Sequence, residues 1–367
     1  MNLHDDFLLE RVSQRRANLQ LAAYAIYVGT GQALWCKTVK SATIATYLRN
    51  IALLVKKFRP IDPRYAAPTD RSLAPVIKHY LDNLKKWESI PDRREPMTLE
   101  MIDDCRNAAV GTPSSSIENA LVDFYITGIF AGYRISEWSQ CSKSHWRIGS
   151  HRLNFKDKAY AITLADLDFR SDTNARITIE FLFLNHDYIP ALCIVHFDAQ
   201  KNGEHDETKK FSRNDDKPHL CFIRAKLRII RRFITLIGWD YTLPLSVFST
   251  LDSAPKSTPH EGKPATTTRN ITSEEIEFSM RRAASNIYNL NPAKAREEKD
   301  LKLWSAHSLR VGACVLLYVN GYSDTEIKFI LRWKSDAFRA YLHNLAFTAR
   351  KQVQAINRSY DTMDNFL

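Results

Sequence analysis

The chain has 367 residues, 44% hydrophobic and 25% charged, a globular composition that argues against a disordered or fibrous chain and suits two domains better than one. Lysine and arginine total 52 against 41 aspartate and glutamate, a formal charge of +11. That excess favours a polyanionic partner, because bound phosphates exchange their counterions for protein cations.

Cys36, Cys105, Cys141, Cys193, Cys221 and Cys314 are scattered, with no CxxC pair and no Cys/His cluster. A disulfide framework or zinc site is therefore not expected, and reduced thiols inside a cell are. The start of the chain lacks the basic residues and apolar run of a signal peptide. No apolar stretch approaches the roughly 20 residues that span a bilayer, so no membrane association is expected.

Residues 1–104 are expected to form a helical domain. Leu19 to Val28 and Val39 to Phe58 carry apolar residues at helical spacing, the second running into Lys56, Lys57 and Arg59. Pro60, Pro63 and Pro68 break the pattern, and a third helix is expected over about 71–87 with Lys85 and Lys86 facing outward. Residues 89–97 are polar and flanked by Pro91 and Pro96, the place for a linker. Thr98 followed by Met101 opens the next helix.

Residues 105–367 mix classes. A strongly apolar helix is expected over 117–131, leading to Arg134. Strands are expected at Tyr160–Leu164, Ile177–Leu184 and Leu192–Phe197, with a tight hairpin turn at Asn202-Gly203. Residues 220–237 form a helix with two faces: Ile223, Leu227, Ile230, Ile234 and Ile237 on one, Arg224, Arg228, Arg231 and Arg232 on the other. That basic stripe is either solvated or phosphate-facing. Residues 249–272 have the Ser/Thr/Pro content of a surface loop. Thr272 to Glu275 then opens a helix bearing Arg281 and Arg282, and three more helices follow. The first carries His307 and Arg310, the second begins at the capping box Ser323-x-x-Glu326, and the short third carries Tyr341. An amphipathic segment over about 345–359 closes the chain.

Three strings suggest chemistry. They are Gly132-Tyr133-Arg134-Ile135-Ser136-Glu137, His307-Ser308-Leu309-Arg310, and Arg332-Trp333-Lys334-Ser335-Asp336-Ala337-Phe338-Arg339-Ala340-Tyr341. A tyrosine hydroxyl is a poor nucleophile at neutral pH and a phosphodiester is anionic. Attack therefore needs cations on the non-bridging oxygens, for which arginine's planar fork is suited, and a proton for the leaving oxygen. Each residue alone has a plainer reading: Tyr341 as a packing tyrosine, Trp333 as core, Glu137 as a surface carboxylate. Their joint occurrence in this order is what argues otherwise.

The set resembles the tyrosine recombinases, and its Arg-Trp-Lys-Ser-Asp-Ala-Phe wording is closest to eukaryotic transposon recombinases of the Crypton type. The resemblance implies a mainly α fold with a small antiparallel β-sheet, a helical core-binding domain before an α+β catalytic domain. It also implies strand cleavage and rejoining through a 3′-phosphotyrosine, without cofactor or metal. By this likeness Arg134 and Arg310 are the catalytic arginines, His307 the intervening histidine, Tyr341 the nucleophile and Glu137 a supporting carboxylate. The commoner family spacing before the tyrosine falls on Arg332 rather than Trp333, and Trp333 is preferred because its indole N–H can donate. The family's general-acid lysine lies at a hairpin turn between the two arginines. Lys201 fits, with Lys209 and Lys210 as rivals.

The implied partner is double-stranded DNA, with a homotetramer on two sites. The segment after Tyr341, through Leu345, Phe347, Ala349, Val353 and Ile356, would dock onto a neighbouring protomer. Candidate DNA contacts are Lys56, Lys57, Lys85, Lys86, Arg224, Arg228, Arg231, Arg232, Arg281 and Arg282. The compartment expected is the nucleus in a eukaryote and otherwise the cytoplasm or nucleoid. Competing readings are a catalytically silent DNA-binding descendant of a recombinase and a type IB topoisomerase-like enzyme.

Overall fold

The computed structural model describes residues 13–32, 39–56, 61–67, 69–88, 93–139, 147–150, 153, 159–197, 207–251, 266–333 and 335–342. They belong to two compact units, Met1–Pro91 and Asp92–Leu367. Among the described residues the fold is mainly helical with small antiparallel sheets, and no helix is long and apolar enough to cross a membrane.

The first unit contains α1 (Gln14–Gly29), α2 (Ser41–Val55), a hairpin of β1 (Tyr65–Ala67) and β2 (Asp70–Leu73), and α3 (Pro75–Trp87). Ser13 caps α1 by accepting from the Arg16 amide. Ala17, Leu21, Ala25 and Val28 then share a buried face with Ile44, Leu48 and Val55 of α2 and Ile77 and Leu81 of α3. The third helix starts later than its periodicity suggests. Asp70 accepts from the Ser72 amide and hydroxyl, which makes 70–73 extended, and Pro75 supplies the first helical turn.

The second unit begins with α4 (Leu99–Ala109) and α5 (Ile117–Ala131), capped by Thr98 and Ser116. Met97, Met101, Ile102 and Cys105 lie in the second unit's core, so the contact boundary falls at 91/92 rather than after residue 104. The short α6 (Ile135–Trp138) follows, its Trp138 stacked on Phe124 at 5.4 Å between ring centres. Next come β3 (Leu167–Arg170), β4 (Arg176–Ile177), α7 (Ile179–Leu184), β5 (Leu192–Phe197) and β6 (Glu207–Ser212). The sheet order is β4-β3-β5-β6, all antiparallel, with Phe169 opposite Cys193 and Val195 opposite Lys209.

Two expected strands are corrected. Tyr160–Leu164 leads into a 3-10 turn, Leu164–Asp166, and pairing starts only at Leu167. Ile177–Leu184 is mostly the helix α7: the Thr178 hydroxyl accepts from the Phe181 amide at 3.2 Å, and Ile179 and Leu182, one turn apart, are buried. An unbroken apolar run has no period of its own, so the cap decided.

The remainder is α8 (Phe222–Ile237), β7 (Val247–Leu251), β8 (Thr266–Asn270), α9 (Ser273–Tyr288), α10 (Ala295–Leu301), α11 (Ser308–Val319) and α12 (Asp324–Leu331). The stretch expected to be a loop over 249–272 supplies most of the β7–β8 hairpin, with Ser249 opposite Thr268. The run Thr266-Thr267-Thr268 is β-branched and favours a strand. α5 is buried nearly all round at the centre of this core, among α4, α8 and α11.

Candidate active site

The site begins where α5 stops. Gly132 takes a left-handed conformation (φ 55°, ψ 44°) as the helix cap, which a side chain would strain. A Cβ there would also lie 2.6 Å from Leu331. The turn sends Tyr133 into the core and presents Arg134 at the start of α6. The Arg134 amide donates to Glu137 Oε2 and its Nη1 to Oε1, both at 2.9 Å.

α12 ends in a second left-handed residue, Arg332 (φ 57°, ψ 50°), a conformation costing a non-glycine roughly 1–2 kcal/mol. Its side chain is fully buried and doubly bonded to Glu137, at 3.1 and 2.8 Å, and lies over the Phe197 ring. Its carbonyl accepts from both Arg134 Nη2 and Arg310 Nη2, each at 3.2 Å. Arg310, on the first turn of α11, also donates to the carbonyls of Gly132 and Leu331. The two arginines are thus fixed through one backbone oxygen.

Burial by itself would raise the Glu137 carboxyl, but Arg332 and then Arg134 outweigh it and hold it below the usual carboxylate range. Burial, followed by the Arg134 charge, pulls the Arg310 guanidinium down to about 9. It remains cationic at neutral pH.

Arg332 faces Glu137, away from solvent, whereas Trp333 faces the other residues. Its ring lies 6.4 Å from His307 and 6.1 Å from Tyr341, under the Arg310 guanidinium at 4.5 Å. Its Nε1 is buried and has no hydrogen-bond partner among the described residues, an unusual state for an indole donor.

Tyr341 ends a 3-10 helix, Asp336–Tyr341, seated by the buried Phe338. Ion pairs Lys328–Asp336 and Arg339–Asp324 tie that helix to α12. His307 Nε2 lies 3.0 Å from the Tyr341 hydroxyl. Burial raises the Tyr341 phenol, with Arg310 opposing. Burial, then the charges of Arg310 and Arg94, lowers His307 to about 4.

The imidazole is therefore neutral at physiological pH and can accept the phenol proton. An NMR titration of the folded protein should therefore show the His307 ring becoming charged only near pH 4. Charging near 6.5 would contradict its burial beside two arginines.

The other predicted residues are placed as follows. Lys201 and the Asn202-Gly203 turn lie outside the described residues, as do Lys57 and the segment 345–359. Lys209 sits on β6, donating to the Phe329 carbonyl at 2.7 Å and pairing with Glu207, so it braces the sheet against α12. Lys210 points to the exposed side of β6. Lys56, Lys85 and Lys86 are exposed on the first unit.

The basic stripe of α8 is largely engaged by partners within the fold. Arg228 and Arg232 converge on the buried carboxylate of Asp123 at 2.6 and 2.5 Å, and Arg232 also donates to Ser114 O. Arg231 donates to the carbonyls of Leu182 and His186, and Arg224 approaches Asp215 at 3.6 Å. These arginines thus bind acceptors on α5, α7 and the adjoining loops. Arg232→Ala is therefore expected to lower the unfolding free energy by about 3 kcal/mol, since Asp123 loses a buried partner. Chemical denaturation of the two proteins checks this, and an unchanged midpoint would show that Asp123 does not depend on Arg232. Arg281 donates to Trp304 O and pairs with Glu277. Arg282 lines a cavity of about 360 Å³ with Cys105 and Phe278.

Sequence reasoning missed three residues near the site. Arg93 and Arg94 looked like linker composition, but Arg93 donates to Ala340 O and Arg94 to Lys302 O. Lys226 is fully buried in α8, its ammonium 3.2 Å from the Tyr133 hydroxyl. A Lys in the apolar stripe of an amphipathic helix was its signal.

Burial lowers the Lys226 ammonium to about 8 from 10.5. The unfolded chain thus holds this proton to higher pH than the folded one, and the folded state gains stability as pH rises through that window. Relative to Lys226→Met, the native protein should gain on the order of 3 kcal/mol between pH 8 and 10.5. Parallel pH–stability curves would show that the ammonium is solvated.

The chain matches no family model and no curated protein. Similar solved structures include the Tn1549 transposon integrase in complex with transposon right end DNA, at 12% identity over 95% of this chain and 87% of that one, TM-score 0.44. The same integrase in complex with circular intermediate DNA gives 11% identity over 94% and 86%, TM-score 0.41. A lambda integrase dimer bound to a COC′ core site gives 15% identity over 94% of each chain, TM-score 0.37.

Proposed function

We propose that this chain is a DNA strand transferase of the tyrosine-recombinase kind, acting on double-stranded DNA in mobile-element integration or excision. The supporting observation is the convergence at one place of Tyr341, a neutral His307 within hydrogen-bond reach of its hydroxyl, and two arginines held on one carbonyl. The residues come from α5–α6, α11, α12 and the terminal 3-10 helix, so no single local packing need brings them together.

In this reading Arg134 and Arg310 grip the non-bridging oxygens of the scissile phosphate. Arg310 Nη2 spends both protons on the Leu331 and Arg332 carbonyls, leaving Nε–H and a second Nη1 proton for the phosphate. The Trp333 indole N–H donates a further bond. The Tyr341 oxygen attacks phosphorus as its proton passes to His307 Nε2. The P–O5′ bond breaks, the DNA 3′-phosphate remains on Tyr341, and Lys201 protonates the departing 5′-oxygen. A 5′-hydroxyl then attacks the phosphotyrosine to reseal a strand, returning the tyrosine. Glu137 and Arg332 orient the first arginine and do not react.

One such site cuts one strand, so exchange between two duplexes needs four protomers. The test is covalent capture on nicked duplexes bearing the terminal sequences of the chain's own genetic element, resolved on a denaturing gel. A shifted protein–DNA species is expected. Binding without any shifted species, on every end tested, would favour a silent DNA-binding protein.

A further inference from the structure

The segment Arg93–Met97 runs beside the loop that carries His307. Arg94 Nη1 donates to Lys302 O at 2.6 Å, the Glu95 amide to Leu303 O at 3.2 Å, Trp304 Nε1 to Pro96 O at 3.2 Å, and the Met97 amide to Ser308 O at 3.0 Å. The seat is written into the sequence. Gly312, one turn into α11, leaves room for the Met97 carbonyl, since a Cβ there would lie 2.2 Å from that oxygen. Met97 itself is buried. A segment with the composition of a linker is thus bonded along five residues.

At its leading end, Arg93 Nη1 donates at 2.8 Å to the carbonyl of Ala340, the residue before the tyrosine. The 3-10 helix holding Tyr341 is otherwise tied by Asp336 and Arg339 to α12. Those ties are side-chain ion pairs, whereas Arg93 holds a backbone carbonyl of the last turn. The neighbouring Arg94 charge acts on both His307 and Tyr341, which sets this segment beside the reacting pair.

We propose that Arg93 is a positioning residue for the nucleophile: through the Ala340 carbonyl it holds the Tyr341 hydroxyl in line with His307. This role rests on the strand-transfer reading above. A hydroxyl displaced by even an ångström loses near-attack geometry, so the effect falls on the chemical step. Arg93 is exposed and fills no core, so its replacement should leave the fold intact.

The test uses the full chain, with Arg93→Ala and Arg93→Lys compared with the native protein. First-order adduct formation is measured on saturating nicked duplex, and DNA affinity is measured separately in a Tyr341→Phe background, where no adduct interferes. Loss of one charge-assisted bond should slow adduct formation about tenfold in Arg93→Ala with affinity within about twofold. Arg93→Lys, whose ammonium can still donate to one carbonyl, should recover to within about threefold of the native rate.

An unchanged rate in Arg93→Ala overturns the role. So does a loss of affinity that accounts for the whole loss of rate, which would make Arg93 a phosphate contact. A lysine variant as slow as the alanine variant overturns it as well. Absence of adduct from the native protein refutes the strand-transfer reading itself, and is distinguishable because it precedes any comparison of variants.

Discussion

Tyr341→Phe is expected to abolish covalent attachment to DNA while leaving affinity within about threefold of the native protein. The substitution removes one oxygen. The ring that packs beside Trp333 and His307 is kept, and Phe338, which seats the 3-10 helix, is untouched. The hydrogen bond lost is that to His307 at 3.0 Å, a half-buried contact whose loss should cost stability about 1 kcal/mol. In the proposed reading the phosphate contacts reside in the arginines, so binding should persist. A covalent adduct surviving in this variant would assign the nucleophile to another residue.

Arg310→Ala is expected to slow single-turnover cleavage by about a thousandfold or more, with part of the loss traceable to disorder of the site. This guanidinium does two things. It presents positive charge where the pentacovalent phosphate would form, and it closes three backbone carbonyls, those of Gly132, Leu331 and Arg332. Alanine leaves these acceptors buried and unanswered, which should lower stability by a few kcal/mol.

Arg310→Lys separates the two tasks. It retains a charge but cannot span three carbonyls and a phosphate with one ammonium, so it should recover stability more than rate. A near-native cleavage rate in either variant, at unchanged DNA occupancy, would remove Arg310 from the mechanism.

Much of the helical framework was legible because its signals are local. The Ser323–Glu326 capping box, the Thr98 and Thr272 caps and the two-faced helix over 222–237 all appear where spacing and caps place them. Where the expectation failed, the deciding contact was a single cap or a partner far along the chain. Whether Ile179–Leu184 is strand or helix depended on one threonine cap and one buried face. The β7–β8 pairing joins segments whose Ser/Thr content resembled a loop. The basic side of α8 was visible as a pattern, but the carboxylate that pairs with Arg228 and Arg232, Asp123, lies 105 residues from Arg228.

The candidate site divides along the same line. Motif spacing brought Arg134, His307, Arg310 and Tyr341 forward as a set, and the folded chain places them together. Spacing could not show that Arg332 and Trp333 face apart, because that follows from a left-handed backbone that turns one side chain to Glu137 and the other to the tyrosine. Nor could it find Arg93, whose partner is a backbone carbonyl 247 residues away. A carbonyl has no residue signature.

In the proposed reaction Tyr341 becomes joined to a DNA 3′-phosphate. This is measured by trapping the adduct on a nicked duplex, digesting protein and DNA, and sequencing the nucleotide-bearing peptide by mass spectrometry. A nucleotide 3′-phosphate on Tyr341 is expected, together with a released 5′-hydroxyl strand. A modification on any other residue, or a 5′-phosphate linkage, would contradict it.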